Sequence, residues 1–158
     1  MLKIGSRVPE FSIMDSEKQP FTNVTIAGKR TLLLFFPAAF TSVCTKELCA
    51  VRDDITRYND LQVDVVGIST DSLYVLAKYK EEQGLNFKLA ADYNKEMCAA
   101  FDSQYEVFAF GMKGTAKRSA FSIDENGIIC YAEVLASAGD IPNFKAITEV
   151  LEKMGVNS

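Results

Sequence analysis

The run Leu32-Leu33-Leu34-Phe35-Phe36, stopped by Pro37, constrains this chain most. Consecutive apolar side chains on an extended strand point to both of its faces, so both must be covered, and such a strand belongs inside a sheet flanked by further layers. Proline has no N–H for a continuing ladder, so the strand ends there. Just beyond, Thr41 or Ser42 can cap a helix whose apolar positions Val43, Leu48, Val51, Ile55 and Tyr58 recur mostly at three- and four-residue steps. The alternation repeats. Val63–Ser69 is rich in β-branched residues, and Asp71 or Ser72 can cap a second helix running to Gly84. A short strand over 86–90 and a short helix over 95–101 follow. Segments 118–123 and 128–134 flank Asp124-Glu125-Asn126-Gly127, whose Asn-Gly pair predicts a hairpin. A last helix is bracketed by Asp140 and Pro142 at its start and Gly155 at its end, with Phe144, Ile147, Leu151 and Met154 on its apolar face. Residues 5–29, with Pro9, Asp15, Pro20 and Gly28, suit small strands and turns better than a helix.

This order predicts an α/β chain with a central mixed β-sheet flanked by helices on both faces, because parallel crossovers carry helices while the hairpin adds antiparallel strands. A thioredoxin-like fold fits it. The 158 residues contain no repeat or linker, so one domain over 1–158 is expected. Seventeen Lys and Arg against 21 Asp and Glu give a net charge of −4, which offers no electrostatic footprint for nucleic acid or an anionic membrane. The first residues lack the apolar core of a secretory signal, and the apolar stretch 32–40 is far short of the roughly 20 residues that span a bilayer. A cytoplasmic protein with four reduced cysteines is the expectation.

Histidine is absent, which excludes imidazole acid/base chemistry, Ser/His/Asp and Cys/His nucleophile pairs, and His-ligated zinc or haem. A cysteine can still act without a base if its anion is stabilised by other means. Cys44 is placed for that. With Thr41 as N-cap it is the third helical residue, near unpaired backbone amides and the positive end of the helix dipole, outside the carboxyl end of the buried strand. The thiolate is the nucleophilic form.

Pro37-x-x-x-Thr41-x-x-Cys44 resembles the active-site signature of the peroxiredoxins. Phe35-Phe36-Pro37, Thr45-Lys46-Glu47-Leu48 and Gly111-Met112-Lys113-Gly114-Thr115-Ala116-Lys117-Arg118-Ser119-Ala120-Phe121 are similar to the alkyl hydroperoxide reductase E-type branch, with the bacterioferritin comigratory protein branch close by. The likeness spans residues 5–151. It implies a thiol-dependent peroxidase in which Cys44 attacks a peroxide and becomes a sulfenic acid, Thr41 orients the substrate, Arg118 stabilises thiolate and peroxide, and Pro37 shields the sulfur. Glu47 would orient Arg118. The resemblance further implies a thioredoxin, glutaredoxin or similar thiol reductant, no cofactor, and a homodimer formed near Phe40, Phe108 and Phe110. Hydrogen peroxide, organic hydroperoxide and peroxynitrite all remain open as substrates.

Cys49, five residues after Cys44, has the spacing of a resolving cysteine in part of the comigratory-protein branch. On an intact helix the two Cα atoms are about 8.7 Å apart, beyond the roughly 7 Å reach of a disulfide, so pairing them requires the first turns to unwind. A one-cysteine cycle using an external thiol is the alternative. Cys98 and Cys130 are read as core residues, and a four-cysteine zinc site is disfavoured by their isolation in sequence. Glu47 occupies the position where a thioredoxin-type Cys-x-x-Cys needs its second cysteine, and Gly111-Met112-Lys113-Gly114-Thr115 lacks Walker spacing. A non-enzymatic redox sensor or holdase-like interaction protein is the competing function.

Overall fold

The computed structural model describes residues 2–156; of the expected domain over 1–158, Met1, Asn157 and Ser158 lie outside the described residues. Its strands are β1 (Ser12–Asp15), β2 (Pro20–Thr22), β3 (Arg30–Phe35), β4 (Val63–Ser69), β5 (Lys88–Ala91), β6 (Ser119–Ile123) and β7 (Ile129–Val134). Its α-helices are α1 (Ser42–Asp53), α2 (Ile55–Asp60), α3 (Leu73–Gln83), α4 (Glu96–Ala100) and α5 (Phe144–Val156). One mixed sheet has the order β2-β1-β5-β4-β3-β6-β7. Strands β3, β4 and β5 are parallel, while the β1–β2 and β6–β7 hairpins pair antiparallel on either side.

The apolar run behaves as its composition demands. Leu32, Leu34 and Phe36 point to one face, against Leu48 and Val51 of α1, Tyr58 of α2, Leu76 and Tyr79 of α3, and Ile147 and Leu151 of α5. Leu33 and Phe35 point to the other, against Met97 and Cys98 of α4 and the rings of Phe101 and Phe121. Each such side chain stabilises the fold by about 1.5–3 kcal/mol through burial. Gly67 of β4 is required by this packing, since a Cβ there would lie 2.8 Å from Leu89 Cδ2 and 3.3 Å from Phe36 Cε1. None of the described helices is long and apolar enough to cross a membrane.

Several expectations are corrected. The single long helix after Thr41 is two, because Asp54 leaves helical geometry (φ −110°, ψ 16°) and its N–H bonds to the Val51 carbonyl three residues back. Apolar spacing reports which side faces the core, and Ile55 and Tyr58 still face it, but it does not register a break in the i→i−4 ladder. The last helix is capped by Asn143, whose Oδ1 accepts from the Ala146 N–H at 3.1 Å, and not by Asp140, which lies too far upstream to reach the first turn's amides. Gly155 does not close that helix, which continues to Val156. Ser72, the alternative to Asp71, caps α3 by accepting from Val75 N–H, and Gly84 ends it in the left-handed region at φ 60°. The short strand begins later than expected, at Lys88, and the short helix begins at Glu96, where Asp92 accepts the Met97 and Cys98 N–H groups and so fixes the start of α4.

Candidate active site

The carboxyl end of β3 leads through residues 37–41 into α1, and Phe36 N–H donating to the Ile68 carbonyl at 2.9 Å ties the exit to β4. Pro37 is buried. Thr41 takes the N-cap position in extended conformation, and its carbonyl accepts the first helical bond from Thr45 N–H. Its hydroxyl does not cap the helix, however; it donates to the Ala38 carbonyl at 2.8 Å. Cys44 is therefore the third residue of α1, in the amide-rich first turn, with 2% of its surface exposed.

Arg118 directly precedes β6, whose antiparallel register sets Ser119 opposite Phe35 and so brings Arg118 to the end of β3 where the loop departs. It is buried, with 1% of its surface exposed. Its Nη2 donates to Cys44 Sγ at 3.2 Å and to the Ala138 carbonyl at 3.0 Å, and its Nη1 donates to Glu47 Oε2 at 2.6 Å. Glu47, one turn beyond Cys44 on the same side of α1, is fully buried. Among the described residues neither Glu47 Oε1 nor Arg118 Nε has a hydrogen-bond partner. Burial pushes the Glu47 carboxyl up to about 7 despite the opposing charge and hydrogen bond of Arg118. For Arg118 burial is the largest single influence and acts against the charge, yet Glu47 and Cys44 offset it and hold the guanidinium above its ordinary value.

The other cysteines differ from Cys44 in surroundings. Cys49 is half-buried on the same helix, with Sγ 3.7 Å from Gln83 Oε1 of α3, and all four cysteines are free thiols. Cys98 is in the core; burial, with Asp92 close by, pushes its thiol up to about 12. Cys130 departs from the core reading, because β7 is an edge strand covered incompletely: it is half-buried, and its Sγ donates to the Ile128 carbonyl at 3.5 Å. Among the described residues no group of three or more His, Cys, Asp or Glu is placed to hold a metal ion.

Three contacts at the site had no counterpart in the sequence reading. The Ala138 carbonyl is a backbone group without a sequence signal. Tyr79 shares a 2.8 Å hydrogen bond with Thr45, next to Cys44, and a helical apolar stripe conceals such a hydroxyl. Asp71, considered only as a helix cap, accepts from the Ala39 N–H at 2.8 Å. The signal for it was its place just beyond the carboxyl end of β4, the parallel neighbour of β3.

The sequence matches the AhpC/TSA family over residues 4–132. It is 34% identical over 131 residues to a putative peroxiredoxin of Mycobacterium tuberculosis, covering 82% of this chain and 83% of that one. It is likewise 34% identical over 129 residues to peroxiredoxin Bcp of Escherichia coli (strain K12), covering 81% and 83%. The structure superposes on peroxidoxin BcpB from Mycobacterium tuberculosis with a TM-score of 0.84 at 26% identity, covering 97% of this chain and 98% of that one. The bacterioferritin comigratory protein of Xanthomonas campestris has the same fold, with a TM-score of 0.80 at 21% identity and 92% of each chain covered. The thioredoxin-like mixed sheet is thus the peroxiredoxin fold, and the chain belongs to the AhpC/TSA family as a Bcp-like peroxiredoxin, a thiol-dependent peroxidase.

Proposed function

We propose that this peroxiredoxin reduces hydrogen peroxide and organic hydroperoxides at Cys44, with Arg118, Thr41 and Pro37 completing the catalytic group. The observation that carries the assignment is the 3.2 Å hydrogen bond from a permanently charged guanidinium to a sulfur in the first turn of a helix. Both features place positive charge beside the sulfur, and the thiolate is the form that attacks. The thiolate attacks one peroxide oxygen and forms an S–O bond. The O–O bond breaks, its electron pair leaves with the other oxygen, and that oxygen takes a proton to give water or an alcohol. Cys44 is left as a sulfenic acid. Because the Thr41 hydroxyl gives its proton to Ala38, its lone pairs are available to accept from the peroxide O–H and align it. Arg118 remains beside the charge as it moves from sulfur to oxygen, and Glu47 fixes the plane of the guanidinium through Nη1. Pro37, buried and without an N–H, keeps that side of the sulfur dry.

Cys49 resolves the sulfenic acid: its thiol displaces water and forms a Cys44–Cys49 disulfide, which thioredoxin, glutaredoxin or a similar dithiol reduces. This requires local opening of α1, since both cysteines sit on one intact helix. Exposed Phe40, Phe110 and Met112, with half-buried Phe108, support homodimerisation beside the site. In stopped-flow assays with a dithiol reductant the wild type is expected to turn over many equivalents of peroxide and Cys44→Ser none. A single oxidation without turnover is the behaviour of a sensor. Intact mass after one equivalent of peroxide, without reductant, is expected to fall by two hydrogens in the wild type and not in Cys49→Ser; a stable added oxygen in the wild type removes the resolving role.

A further inference from the structure

We infer that Asp71 is a positioning residue for the peroxidase reaction, holding the loop that carries Thr41 in the shape that aligns the peroxide. The inference rests on the proposed roles of Cys44 and Thr41. Strands β3 and β4 are parallel, so the segment after Ser69 lies beside the segment after Phe35. Asp71 Oδ2 accepts from the backbone N–H of Ala39 at 2.8 Å and from the hydroxyl of Ser69 at 2.7 Å, and Ser69 Oγ in turn accepts from Asp71 N–H at 3.2 Å. Ser69 is fully buried, so the carboxylate is aimed at Ala39 from a fixed point in the sheet.

The grip falls where the loop needs it. The next residue, Phe40, has φ 64°, a left-handed conformation that a non-glycine side chain keeps only when its surroundings impose it. Two contacts impose it: Asp71 on the amide before it, and the Tyr79 ring 4.9 Å from its own. Thr41 follows directly, and the hydrogen bond of its side chain is to Ala38, inside the same loop. The Thr41 backbone is tied to α1 through Thr45 N–H, but the Ala38 carbonyl that holds its hydroxyl lies in the stretch of loop gripped by Asp71. Cys44 is anchored separately, by the backbone of α1 and by Arg118. Loss of the Asp71 contact should then displace the aligning hydroxyl while leaving the sulfur and its guanidinium where they are. The chemistry requires an acceptor for Ala39 N–H rather than a negative charge. Because Oδ2 alone accepts from both Ala39 N–H and Ser69 Oγ, an amide oxygen in its place can accept from both as well.

The test compares two reactions of the same sulfur. Single-turnover oxidation of Cys44 by hydrogen peroxide needs alignment; alkylation by iodoacetamide needs only the nucleophile. In Asp71→Ala the peroxide rate constant is expected to fall about tenfold or more with alkylation within about twofold of wild type, the scale on which small misplacements act. Asp71→Asn is expected to restore the peroxide rate to within about threefold of wild type. Ser69→Ala, which keeps the carboxylate but frees its aim, is expected to give an intermediate loss with the same bias, and it stands in if Asp71→Ala does not fold. A wild-type peroxide rate in both alanine variants overturns the inference, as does a parallel fall in both reactions or an asparagine variant as slow as alanine. Failure of wild-type Cys44 to react with peroxide at all would instead overturn the proposed function.

Discussion

Replacing Glu47 by Gln isolates the effect of an acid buried beneath the reactive cysteine. The unfolded chain releases this proton near 4.5, whereas burial keeps it on the folded protein up to about 7. Across that interval the unfolded state binds fewer protons, so the contribution of Glu47 to stability is full below 4.5 and is lost as pH rises through about 7. At roughly 1.4 kcal/mol per pKa unit the loss is about 3 kcal/mol. Glutamine keeps an oxygen for Arg118 Nη1 and nearly the same volume but cannot titrate. The stability of the wild type minus that of Glu47→Gln is therefore expected to fall by about 3 kcal/mol between about pH 4.5 and pH 8. Urea unfolding followed by far-UV circular dichroism at pH intervals measures it, with constant m-values as the control for an unchanged mechanism. A flat difference refutes the reasoning. A difference that rises with pH refutes it more specifically, because the pull of Arg118 at 2.6 Å would then outweigh desolvation.

Two further outcomes follow from other parts of the molecule. Cys98, fully buried and pushed up to about 12, is expected to stay unmodified when the native protein is treated with iodoacetamide at mildly alkaline pH and to react on unfolding, as peptide mass mapping would show. Gly67→Ala is expected to destabilise the chain by about 1–3 kcal/mol in urea unfolding, since its Cβ would meet Leu89 Cδ2 at 2.8 Å between packed strands; an unchanged midpoint would show that β5 yields.

Legibility in the sequence followed the range of the interaction. Strand β4 has the bounds read from its β-branched run, because its pattern is local and buried on both faces. Pro37, Thr41 and Cys44 sit within one strand-to-helix connection, so their proximity follows from spacing. Arg118 lies 74 residues from Cys44, and only the register of β6 on β3 brings the two together; the family resemblance, not periodicity, singled it out. Glu47 stands at a helical step from Cys44, but its full burial depends on packing from distant elements. The Ala138 carbonyl and the Ala39 amide act through backbone atoms, whose partners no side-chain pattern encodes. The break at Asp54 was hidden for a related reason, as apolar spacing continues across it.

The most direct test of the whole account maps where the peroxide oxygen goes. Cys49→Ser protein, which cannot form the internal disulfide, is treated with one equivalent of hydrogen peroxide in the presence of dimedone, digested and analysed by peptide mass. The account predicts a dimedone adduct on the peptide carrying Cys44 and its absence when Cys44 is also replaced by Ser. An adduct on Cys98 or Cys130, or peroxide consumption undiminished without Cys44, would contradict it.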